Sequence, residues 1–145
     1  MRNLESPLTI RVLVADDEPR ARRALAALLA TYPQIEVVGQ AADGLQAVAL
    51  AVELQPDVAV LDGIMPGLDG LAAAQRIKAL APQVAVILLT LYGDLEWDAR
   101  HSGADGFLVK SADSEEIIDL ITHLGGRTAA LRSPSMGLSP QGVTS

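Results

Sequence analysis

Short apolar runs alternate along the chain with longer stretches in which apolar residues recur at intervals of three and four. The runs are Ile10 to Ala15, Glu36 to Gln40, Val58 to Leu61, Val84 to Leu89 and Gly106 to Val109. Each has the length of an ordinary strand and several hold no polar residue, the pattern of central parallel strands covered on both faces. The stretches between them carry helix signals. Pro19 stands where a first helical residue is favoured, with Ala21, Ala24, Leu25 and Leu28 as the stripe behind it. A second helix is predicted from Asp43 or Gly44 to Leu54, before Pro56, and a third from Leu71 to Leu80, before Pro82. The fourth, around Glu96 to Ser102, is short and weakly patterned. The fifth has Asp113 or Ser114 as N-cap, Glu116 placed for a capping box, and Ile117, Leu120, Ile121 and Leu124 on one face with Ile118 at its edge. Gly125-Gly126 is predicted to stop it, and Arg127 to Ser145, rich in Ser, Pro and Gly, reads as a flexible tail or the start of an interdomain linker.

Strict alternation of strand and helix predicts an α/β fold: one domain over residues 1–126, with a doubly wound five-stranded parallel sheet. The core is built from Ala, Val, Leu and Ile, because half of the 145 residues are hydrophobic and only four are aromatic. With no cysteine, disulfides, thiolate metal sites and cysteine nucleophiles are excluded. Apolar runs such as Ala24 to Ala30 fall short of the roughly 20 residues of a membrane span. The N-terminal MRNLESPLTI lacks the apolar core of a secretory signal, so the cytoplasm is the expected location and no membrane the expected partner. The net charge of −7 makes the chain a poor partner for nucleic acid, so any DNA binding would need another domain.

Open parallel sheets bind ligands beyond the carboxyl ends of their strands. Here the first strand ends at Asp16-Asp17, the third at Asp62, the fourth at Thr90 and the fifth at Lys110. Singly, each has an ordinary explanation: Asp17 or Glu18 caps a helix, Asp62 opens the turn GIMPGLDG, Thr90 satisfies backbone and Lys110 is a solvated cation. Together at one edge they describe an oxygen-rich site with one ammonium. Crowded carboxylates raise one another's pKa unless a cation neutralises them, and Mg²⁺ takes oxygen ligands. Asp62, the lone acid at the central strand, is then placed to attack phosphorus while Lys110 and the Thr90 hydroxyl stabilise phosphoryl oxygens.

The ordered set of Asp16-Asp17, D-x-x-M-P-x-x-D-G from Asp62 to Gly70, Thr90, and G-x-x-x-K from Gly106 to Lys110 resembles the receiver domain of bacterial two-component response regulators, over about Leu8 to Gly126. The resemblance implies a flavodoxin-like sheet of order 2-1-3-4-5, and transfer of a phosphoryl group from a phosphohistidine of a sensor histidine kinase to Asp62. It implies Mg²⁺ held by Asp16, Asp17, Asp62 and the backbone carbonyl of Ile64. It also implies that Thr90 and Lys110 contact the phosphoryl group and that Thr90 and Phe107 form the switch. Such a protein catalyses only its own phosphorylation and dephosphorylation. Phe107 has no hydroxyl, so the hydrogen-bonded inward state of a tyrosine is closed to it. Leu91 is bulkier than the small residue usual in the family, and Ser111 replaces the proline many receivers carry there, a variation of the NarL/FixJ-like subgroup. Ile64 and Tyr92 stand at positions that tune loss of the phosphoryl group. That subgroup continues into a helix-turn-helix DNA-binding domain, and GLSP at Gly137 to Pro140 resembles the linker before it. The expectation is a receiver cut from a longer transcription regulator, with a phosphorylation-linked homodimer among its expected states and DNA reached only through the output domain.

Two other readings compete. A degenerate receiver acting as a protein-binding module would have a broken acidic set, and this one is complete; a stand-alone receiver differs from the expected one only in having no output domain. A phosphohydrolase of haloacid-dehalogenase type needs a second Asp two residues after the nucleophile, where Ile64 stands. Arg20, Arg22 and Arg23 read as a solvated helix face, and His101 and His123 lack ligand spacing.

Overall fold

The computed structural model describes residues 9–90 and 102–132. In chain order they form β1 (Ile10–Ala15), α1 (Pro19–Ala30), β2 (Ile35–Ala41), α2 (Gly44–Leu54), β3 (Val58–Asp62), α3 (Gly70–Leu80), β4 (Ala85–Thr90), β5 (Gly106–Val109) and α4 (Ser114–Arg132). The helix expected around Glu96 to Ser102 falls almost wholly outside the described residues, as do Leu91, Tyr92, His101 and the GLSP stretch. Hence α4 is the helix predicted as the fifth.

All strand pairs are parallel, in the order β2-β1-β3-β4-β5 that the resemblance implies. Successive strand side chains point to opposite faces, which splits the core in two. Leu13, Ala15, Ala59, Leu61, Val86 and Leu88 share one cluster with Ala47, Ala51, Ala73, Ala74 and Ile77 of α2 and α3. Val12, Val14, Val58, Val60, Ile87 and Leu89 share the other with Leu29 of α1 and with Ile117, Ile118, Ile121 and Ala129 of α4. Alanines dominate the contribution of α2 and α3 to the first cluster, and isoleucines that of α4 to the second.

Among the described residues, each helix is started by an acid that accepts its free N–H groups. Glu18 accepts from Arg20 and Ala21, Asp43 from Gln46, and Asp69 from Ala72. Asp113 accepts from Glu116 N–H while the Glu116 carboxylate accepts from Asp113 N–H, the expected reciprocal cap.

Two helix expectations are corrected. In α1 the buried residues are Ala26 and Leu29, with Leu25 and Leu28 half-buried, whereas Ala21 and Ala24 are exposed. A helix so rich in Ala and Leu offers two adjacent stripes of nearly equal apolarity, and only packing chooses between them. Nor does α4 stop at Gly125-Gly126; it runs to Arg132. A Cβ on Gly125 would come within 2.5 Å of Ile10 Cγ2 and 2.7 Å of Val58 Cγ2. That glycine lets the helix lie against β1 and β3, and Ala129, one turn on, is buried beyond it.

Candidate functional site

Pairing between neighbouring strands continues through their carboxyl ends. Asp16 N–H donates to Ala41 O at 3.0 Å, Gly63 N–H to Leu89 O at 2.8 Å and Lys110 N–H to Thr90 O at 2.6 Å. Asp16, Asp62, Thr90 and Lys110 are therefore delivered to one edge on rigid backbone. Asp16, Asp62 and Thr90 are buried there, and Asp17 is exposed.

Carboxylate oxygens of Asp16, Asp17 and Asp62 all lie within 4.8 Å of one another. Lys110 Nζ donates to Asp62 Oδ2 at 3.0 Å and to Asp16 Oδ2 at 3.3 Å. The second oxygen of each buried acid accepts a backbone N–H, from Ile64 to Asp62 Oδ1 at 3.2 Å and from Glu18 to Asp16 Oδ1 at 2.9 Å. Among the described residues, three carboxylates stand against one ammonium, Lys110, which touches Asp16 and Asp62, so negative charge is in excess.

Burial raises the pKa of Asp62 above its ordinary 3.8, and Asp16 adds to the rise; the Ile64 N–H and Lys110 pull it down without cancelling it. Burial opposes the charge on Lys110, but Asp62 and Asp16 together outweigh it and hold its pKa above 10.5. The lysine thus stays charged while the central carboxylate is strained toward its neutral form. An oxygen-only set with surplus negative charge and one acid open to solvent has the chemistry of a site for a hard divalent cation that keeps several waters.

The remaining expected residues lie around this centre. Ile64 is exposed, with its backbone beside Asp62. Phe107 is half-buried against the cluster of α2 and α3 and pairs in register with Leu88, two positions before the Thr90–Val109 pair. One contact had no sequence signal: Arg22 Nη1 donates to Asp16 O at 3.0 Å across the β1–α1 turn, so Arg22 is not part of a merely solvated face. A cavity of about 280 Å³ lined by Gln55, Pro56, Asp57, Gln83, Thr128 and Leu131 shares no residue with the acids. It lies by the opposite ends of β3 and β4 and takes no part in this chemistry.

Residues 12–122 match the model of the response regulator receiver domain. The chain belongs to this family. The receiver is 41% identical over 114 residues to the transcriptional regulatory protein LiaR of Bacillus subtilis (strain 168), a match covering 77% of this chain and 54% of LiaR. The chain thus spans about half the length of the curated relatives it matches. The signal receiver domain of the putative response regulator NarL from Mycobacterium tuberculosis superposes with a TM-score of 0.78 at 33% identity, over 83% of this chain and 98% of that one. A CheX–CheY–BeF3–Mg²⁺ complex from Borrelia burgdorferi gives a TM-score of 0.72 at 25% identity, over 79% of this chain and 87% of that one. In this receiver Asp16, Asp17, Asp62 and Lys110 meet in direct contact or close approach, with Thr90 on the strand end beside them.

Proposed function

We propose that this receiver is a phosphorylation-driven switch of a two-component system with Asp62 as acceptor. A carboxylate oxygen of Asp62 attacks the phosphorus of a phosphohistidine on a sensor histidine kinase. The new O–P bond forms as the P–N bond breaks, and the imidazole nitrogen leaves with the electron pair. Asp16, Asp17, Asp62 and the backbone carbonyl of Ile64 would hold Mg²⁺, which would neutralise the acids and draw charge from the phosphoryl oxygens. Lys110 exchanges its bond to Asp62 for one to a phosphoryl oxygen, and the Thr90 hydroxyl takes another. Phe107 occupies the switch position without a hydroxyl, so its coupling to Thr90 runs through packing alone. Water then cleaves the acyl phosphate, and the receiver turns over no other substrate.

The observation that carries this reading is Asp62 itself: buried, 3.0 Å from Lys110 and within a cluster of three carboxylates. The CheY complex, which holds Mg²⁺ and the phosphoryl mimic BeF3 on the same fold, supports it. By the same reading the receiver works in the cytoplasm, pairs with a second copy when phosphorylated, and controls a helix-turn-helix DNA-binding domain that follows it in a longer regulator. The description of LiaR as a transcriptional regulatory protein supports that output. Incubation with an acyl-phosphate donor and Mg²⁺ is expected to add one phosphoryl group, seen by intact-mass spectrometry, and none to Asp62→Asn. Equal labelling of the variant overturns the reading.

A further inference from the structure

Arg20, Arg22 and Arg23 follow one another at the start of α1, and Arg20 and Arg23 are exposed. Arg22 is half-buried, and its guanidinium turns back to the carbonyl of Asp16 at 3.0 Å. Asp16 is thereby held at every polar atom. Its N–H donates to Ala41 O, Oδ1 accepts from Glu18, Oδ2 from Lys110 and the carbonyl from Arg22. Asp17 is the opposite case, an exposed acid whose carboxylate nevertheless lies within 4.8 Å of those of Asp16 and Asp62. The Asp16 carbonyl lies in the same rigid peptide plane as the Asp17 nitrogen, so the group that fixes one fixes the direction in which the other leaves the strand.

We infer that Arg22 is a positioning residue of the cation site: its bond to the Asp16 carbonyl orders the 16–17 peptide so that Asp17 faces the other two acids before any cation arrives. This rests on the reading of those acids as a Mg²⁺ site. Two effects of opposite sign separate the inference from a bystander charge. A guanidinium bonded to the Asp16 carbonyl puts a positive charge near the cation site and repels a second cation, so losing its charge alone tightens Mg²⁺ binding. Losing its hydrogen bond leaves the peptide to be ordered on binding, which weakens it. Groups that orient metal ligands from behind change affinity about 10- to 100-fold, and the repulsion relieved by the same substitution opposes this. Arg22→Met is therefore expected at the low end, about tenfold weaker.

The test is a calorimetric titration of Mg²⁺ alone into the full chain, without any phosphoryl donor, for the wild type, Arg22→Met, Arg22→Lys and Asp17→Asn. Weaker binding by Arg22→Met, with Arg22→Lys between it and the wild type, supports the inference. Wild-type or tighter binding by Arg22→Met, while Asp17→Asn loses the cation, overturns the inference and leaves the metal site standing. Binding that Asp17→Asn does not change overturns the metal site and the role of Arg22 with it. Should circular dichroism find Arg22→Met unfolded, Arg22→Lys decides: it keeps the charge, so weaker binding supports the inference and equal or tighter binding overturns it.

Discussion

Asp62 answers to two opposed demands. Lys110 and the Ile64 N–H favour its charge, while burial and Asp16 oppose it, and the opposition wins, since its pKa is raised. A raised carboxyl makes a contribution to stability that is fully present below its unfolded-state pKa and is lost as pH rises through its folded-state value. Ionising Asp62 without metal therefore weighs against the fold, and Asn imitates its neutral form. Asp62→Asn is expected to raise the Tm of the metal-free protein in a calorimetric scan, although removing one partner of a buried ion pair ordinarily destabilises. A lowered Tm would mean that pairing with Lys110 outweighs burial. Protons also compete with the cation for this oxygen, so Mg²⁺ affinity, titrated at stepped pH, is expected to fall off at a higher pH than at a site of ordinary carboxylates. The acids and the lysine were legible in the sequence because each stands at a strand end. Arg22 was not, because its bond crosses a turn whose geometry no residue spacing encodes.

At the scale of elements, adjacent glycines have opposite roles. Gly125 closes on Ile10 and Val58, while a Cβ on Gly126 meets nothing within 4 Å. Gly125→Ala is expected to cost about 1–3 kcal/mol by overpacking, and Gly126→Ala to stabilise by about 0.4–1 kcal/mol through lower chain entropy, both read from urea unfolding. The pair reads as a helix stop in sequence because a glycine needed for close packing and one that ends a helix look alike. Where β5 begins, Asp105 Oδ2 accepts from Lys78 Nζ at 2.9 Å and from Val86 N–H at 2.8 Å, and Lys78 also reaches Pro82 O and Val84 O. This staple joins α3 to the start of β5, the strand that leads to Lys110. Asp105→Ala leaves the Val86 N–H without that acceptor and is expected to cost about 1–3 kcal/mol, measured by the same unfolding.

The molecule as a whole is a two-layered core arranged to present one acidic edge, and its stability is tied to what neutralises that edge. A ligand that binds only the folded state adds about 2.7 kcal/mol at a hundredfold excess over its Kd. Mg²⁺ at that excess is expected to raise Tm accordingly, and to raise that of Asp62→Asn less; an equal rise in both would place the cation elsewhere. The sequence by itself determined the strands, the caps of α1 and α4 and the polar strand ends, because alternation, capping and strand termination are local and leave a local mark. Family resemblance in turn supplied the strand order and the proposal of which acid accepts the phosphoryl group. Only the tertiary structure decided which stripe of α1 is buried, that α4 continues past its glycines, and that Arg22 holds the peptide behind Asp17. Each of these depends on how close two distant segments come, and distance between segments is a property of packing that the order of residues does not state.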